Sequence, residues 1–105
     1  MAQPYHWELM DEVNPDLHMK FSALSAQINK GEVIPNKYRE MIIFGMACAL
    51  RSAPAVRAHG EACIKKYGAT KEEIYCVMAT AITIGGIPAY REACFAMEEI
   101  IKNMG

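Results

Sequence analysis

Residues 36–70 read NKYREMIIFGMACALRSAPAVRAHGEACIKKYGAT, and this stretch decides the fold. It predicts two helices meeting at a Ser-Ala-Pro corner. The first opens at Pro35 and runs to about Leu50, apolar on every side after Glu40, so it needs cover all round. Gly45 in its middle costs about 1 kcal/mol against alanine, which suggests that another backbone comes close there. Ser52 is a good N-cap and Pro54 a good early residue for the second helix, which stops at Gly68. Thr70 and Glu73 then have the spacing of a capping box.

Working outward, Trp7 to Val13 reads as a short helix ended by Asn14-Pro15. Asn14 caps the next helix, with Pro15 at its first position, where the missing N–H costs nothing. Leu17, Phe21, Leu24 and Ile28 fall at helical spacing, so this helix is expected to bury one stripe and to stop near Gly31. His18 beside the stripe is expected to be structural. After the capping box, a helix carrying Ile74, Val77, Met78, Ala81, Ile82 and Ile84 should end at Gly85-Gly86. A last one runs from about Pro88 to Asn103, packing through Phe95, Met97, Ile100 and Ile101. No stretch alternates as a strand would, so the fold class is all-α, a bundle of about six helices in one domain spanning 1–105.

Composition narrows the function. Apolar residues make up 52% of the 105, a little above the usual ~45–50%, and the excess points to a homo-oligomer. The net charge is −1 with the basic residues scattered, so neither nucleic acid nor an anionic membrane is an expected partner. No run reaches the ~18 apolar residues of a membrane span, and the N-terminus does not read as a secretory signal, so a cytoplasmic protein is expected. Cys48, Cys63, Cys76 and Cys94 lie 15, 13 and 18 residues apart, matching no zinc or dithiol motif. In a reducing compartment they read as core residues. No metal constellation or phosphate loop stands out, and no cofactor is expected.

Two residues carry the expected chemistry. Ser52, Ala55, Val56, His59 and Cys63 share one face of the corner's second helix, and histidine exchanges protons near neutrality. Glu40 sits at the start of a mostly apolar helix, where a carboxylate needs a partner. If the two helices pack antiparallel, the ~15 Å rise from Glu40 to Leu50 and the ~10 Å descent from Ser52 to His59 bring the two side chains within about one turn of each other. They are expected to converge on a pocket lined by both corner helices and the one after. Arg51 and Arg57 flank the corner and are candidate clamps for a carboxylate, helped by the free N–H groups of the helix start and by Ser52.

Arg39-Glu40, the apolar run from Met41 to Leu50, Arg57-x-His59, Gly68-Ala69-Thr70-x-Glu72-Glu73-Ile74 and Gly85-Gly86-Ile87-Pro88-Ala89 together resemble the carboxymuconolactone decarboxylase and alkylhydroperoxidase D family. The resemblance covers about 55 residues, Lys37 to Arg91. In the family's redox branch, a Cys-x-x-Cys would fall at Ser52 and Ala55, where both thiols are absent. The decarboxylase branch also lacks the pair and carries Arg-x-His, whereas Glu40 matches the redox branch's relay glutamate. The resemblance therefore implies a cofactor-free lyase acting on a small carboxylated lactone or related acid. His59 would be its acid/base, Glu40 the orienting partner, and Arg51, Arg57 and Ser52 would bind substrate. Its alternatives are an antioxidant protein of peroxiredoxin-type activity with a degenerate thiol pair, and a non-catalytic small-molecule-binding oligomer. For the assembly it implies a trimer or hexamer.

Overall fold

The computed structural model describes residues 3–30 and 33–104, which form six α-helices and no strand. They divide into two compact units, residues 1–32 and 33–105. Gly31, the expected stop of the second helix, lies outside the described residues.

In the first unit, α1 (Tyr5–Val13) and α2 (Pro15–Ile28) form a hairpin. The Pro4 carbonyl accepts from the Trp7 and Glu8 amides, so α1 begins two residues before Trp7. Asn14 Oδ1 accepts from the Leu17 amide at 3.2 Å, making it the cap that the Asn-Pro pair predicts. Trp7 stacks on Phe21 with ring centroids 4.9 Å apart and on His18 at 5.8 Å. His18 Nδ1 also meets Asp11 Oδ1 at 3.1 Å, so it ties the two helices together. Neither helix contains a buried residue. The stripe of Leu17, Phe21, Leu24 and Ile28, expected to be buried, is exposed.

The second unit holds α3 (Asn36–Ala49), α4 (Ala53–Tyr67), α5 (Lys71–Thr80) and α6 (Ile82–Lys102). Pro35 precedes α3 as its cap rather than serving as its first residue. Phe44, Cys48, Val56, Cys63, Ile74, Met78 and Met97 form the fully enclosed centre, drawn from all four helices. Gly60 allows this density: a Cβ there would lie 2.5 Å from Met97 Sδ and Cε and 2.8 Å from Phe44 Cε1. At Gly45 the close neighbour is the Val77 side chain, whose Cγ1 would be 3.2 Å from an added Cβ, and not the backbone expected there. The α3 face carrying Ile42 and Met46 stays open, as do Ile84 and Phe95, two residues expected to pack.

Helix ends follow local chemistry. Gly68 adopts φ 69°, and the Ala69 amide donates to the Cys63 carbonyl at 2.9 Å, closing α4. Thr70 Oγ1 accepts from the Glu73 amide at 3.0 Å and Glu73 Oε1 from the Thr70 amide at 2.9 Å, which starts α5. The helix expected to continue to Gly85 instead ends at Thr80, and α6 takes over at Ile82. The predicted break at the glycine pair is present inside α6, at Gly86 with φ 76° and ψ 178°. Pro88 therefore follows a fresh start of helix, where its missing N–H is harmless.

Candidate functional site

The α3–α4 corner is made by backbone, with little help from side chains. Arg51 takes φ 59°, a left-handed turn that a non-glycine residue seldom adopts. The Arg51 and Ser52 amides donate back to the carbonyls of Cys48 and Ala47, at 3.0 and 3.2 Å. Ser52 stands at the N-cap position, but its hydroxyl caps nothing.

Beyond the corner α4 returns along α3 and places His59 against Glu40, with Nδ1 to Oε2 at 2.6 Å. The Glu40 side chain is 17% exposed and that of His59 40%, so the carboxylate sits inside and the imidazole faces out. A carboxylate only accepts, so Nδ1 carries the proton in this contact and Nε2 is the nitrogen left to face a ligand. The arrangement orients a proton-transfer group and can stabilise its cation. Behind it lies Cys63, whose thiol is pushed up to about 12, first by burial and then by the negative charge of Glu40. Burial likewise raises Cys48 to about 11. Neither thiol is a thiolate near neutrality, so neither is an activated nucleophile.

Both arginines have partners on α6. Arg51 holds Glu92 of α6, with Nε to Oε2 at 2.6 Å and a terminal guanidinium nitrogen on the same oxygen. Arg57 directs Nε to the Ala96 carbonyl of α6 at 3.5 Å. The structure thus brings His59 and Glu40 together, leaves Ser52 two turns away on the same face of α4, and engages Arg51 and Arg57 elsewhere. Glu92 has no signal in the sequence that would link it to Arg51, 41 residues earlier.

An apolar cleft of about 700 Å³ runs between α3 and α5, bordered by Tyr38, Ile42, Met46, Val77 and Thr80. Its lining includes neither His59 nor Glu40, so it is not the shared pocket that the sequence suggests. Among the described residues no group of three or more His, Cys, Asp or Glu is placed to hold a metal ion, and no helix is long and apolar enough to cross a membrane.

A family model, described as the carboxymuconolactone decarboxylase family, matches residues 15–99. The chain belongs to this family. The match extends the resemblance on both sides, taking in α2 and nearly all of α6, and it agrees with the all-α architecture. An uncharacterized protein of Methanocaldococcus jannaschii, MJ0742, is 25% identical over 93 residues, covering 89% of each chain.

Proposed function

We propose that this member of the carboxymuconolactone decarboxylase family is a lyase that uses acid/base chemistry, without a cofactor, on a small carboxylated lactone or related acid. The observation that carries this reading is the 2.6 Å contact between Glu40 and His59 Nδ1, which aims Nε2 outward. As carbon dioxide leaves, the carbon–carbon bond breaks and its electron pair stays on the substrate. His59 supplies the proton that this carbon takes up, and Glu40 stabilises the imidazole's orientation and charge. Ser52, Ala55 and His59 recur along one face of α4, about 10 Å from end to end. A small acid laid over Ala55 meets the corner's hydroxyl and free N–H groups at one end and Nε2 at the other. Arg51 joins by exchanging Glu92 for the substrate carboxylate, and Arg57 is the outer cation. The working form is a homo-oligomer, a trimer or hexamer.

The peroxidase-type alternative is weaker, because positions 52 and 55 carry no thiol and burial keeps Cys63 protonated. The test is carbon dioxide release from 4-carboxymuconolactone by the purified chain. Wild type should turn over, and His59→Ala should lose about 10²–10⁴-fold. Glu40→Gln should lose less, and the double variant little more than the worse single one. Binding seen by thermal shift without carbon dioxide release would make the chain a binding protein, and thiol-dependent hydroperoxide turnover would favour the redox branch.

A further inference from the structure

Arg51 brings two nitrogens to Glu92, Nε at 2.6 Å and a terminal guanidinium nitrogen, and both meet the same oxygen, Oε2. A guanidinium and a carboxylate bind best fork to fork, through two parallel N–H···O bonds to two different oxygens. Glu92 leaves Oε1 out of the contact, so Arg51 holds a carboxylate in less than its best geometry. The Arg51 side chain is 51% exposed and that of Glu92 38%, so water and dissolved anions reach the pair, and an ion pair so placed is weak. Neither backbone can drift from the other. Arg51 is fixed in its left-handed turn, φ 59°, by the amide bonds of the corner. On α6, Ala89 and Ala93 are 0% and 1% exposed, and a Cβ on Gly85 would lie 3.2 Å from the Ala49 carbonyl oxygen, so this helix is seated against the end of α3. Glu92 is therefore a carboxylate tethered beside the guanidinium at a permanently high local concentration.

We infer that Glu92 is a specificity-determining residue, an internal carboxylate that occupies Arg51 until a substrate carboxylate engaging both nitrogens with both of its oxygens displaces it. The inference rests on the proposed reading of Arg51 as the substrate's carboxylate clamp. An anion that offers one acceptor gains nothing over Glu92 and is kept out, whereas a carboxylate that completes the fork does gain. Displacement needs only a rotation of the Glu92 side chain. The apparent affinity of any incoming carboxylate is lowered by the fraction of Arg51 left free, which for an exposed pair amounts to about two- to six-fold.

An acetate titration of the full chain tests it, followed through the Nε–H resonance of Arg51 in proton–nitrogen NMR spectra and assigned by the loss of that resonance in Arg51→Lys. Chloride at equal ionic strength is the control, Glu92→Ala is a second variant beside Glu92→Gln, and circular dichroism confirms that each is folded. Acetate should shift the resonance in wild type and chloride should not. In both Glu92 variants the acetate midpoint should fall to between about one-half and one-sixth of the wild-type concentration. In the carbon dioxide assay, Glu92→Gln should raise kcat/KM for 4-carboxymuconolactone by the same factor, through a lower KM. An unchanged midpoint in both variants would overturn the inference and leave the ion pair as a clamp on the corner alone. An Arg51 resonance that ignores acetate in every protein, or answers chloride as strongly, would also overturn it. Acetate shifts as expected without carbon dioxide release would sink the lyase reading and leave the role of Glu92 standing.

Discussion

Replacing Gly60 with alanine tests whether close packing of α3 on α4 holds the Glu40–His59 pair together. The new Cβ would lie 2.5 Å from the Met97 Sδ and Cε atoms and 2.8 Å from Phe44 Cε1, whereas ordinary contact begins at 3.4 Å. Close to 1 Å of movement is therefore required. The end of Met97 can swing, but both it and the Phe44 ring are fully buried among other side chains. Overpacking of this kind costs about 1–3 kcal/mol, while alanine's better helix propensity returns up to ~1 kcal/mol. At the middle of that range, about 2 kcal/mol, the net loss is about 1 kcal/mol, and each kcal/mol lowers Tm by roughly 4–8 °C in a domain of this size. Thermal unfolding at fixed protomer concentration measures it. Because Gly60 adjoins His59, the same displacement should lengthen the 2.6 Å contact, visible as a change in the imidazole nitrogen shifts of His59 in NMR spectra. A double-mutant cycle with Met97→Ala should show coupling of at least ~0.5 kcal/mol, since the smaller residue makes room for the new methyl. A Gly60→Ala protein as stable as wild type, or an additive cycle, would refute the reasoning.

Two further outcomes follow from local geometry. The Glu73 carboxyl is held below its ordinary 4.5 by the Thr70 amide and by Lys37, so its contribution to stability is present above pH 4.5 and is lost as pH falls through the lower folded value. Urea midpoints taken from neutral to acid pH should fall less steeply in Glu73→Gln than in wild type, and parallel curves would count against the capping box as a source of acid sensitivity. Gly86→Ala forces a side chain into φ 76°, ψ 178°, a region occupied almost only by glycine, and should cost about 1–3 kcal/mol in urea unfolding. An alanine variant with an unchanged midpoint would show that the break in α6 does not depend on that backbone geometry.

Much of the fold was legible because short-range chemistry sets it. Asn14-Pro15, Gly68 and the Thr70–Glu73 box each act within six residues, and each marks a helix boundary where the sequence places one. Glu40 and His59 were legible as a pair because one antiparallel turn of chain brings them together, and the family resemblance singles them out from other polar residues. Tertiary geometry was harder to read. Nothing near Arg51 in the sequence announces its left-handed backbone or its hold on Glu92, and the Ser52 hydroxyl departs from its residue type's habit by capping nothing. The α2 stripe has the periodicity of a buried face, yet periodicity identifies a face that needs cover and does not say which molecule supplies it.

The protonated sulfur of Cys63 gives the wall behind Glu40 an electrical property of its own. Burial and the neighbouring carboxylate keep the thiol neutral to about pH 12, far above the range in which histidines generally gain and lose protons. Through every step of the proposed acid/base cycle at the corner, that wall stays uncharged. It presents the carboxylate with a soft, polarisable backing that never competes for a proton. Replacing it with an ionisable side chain would introduce a second titration into the profile of the first.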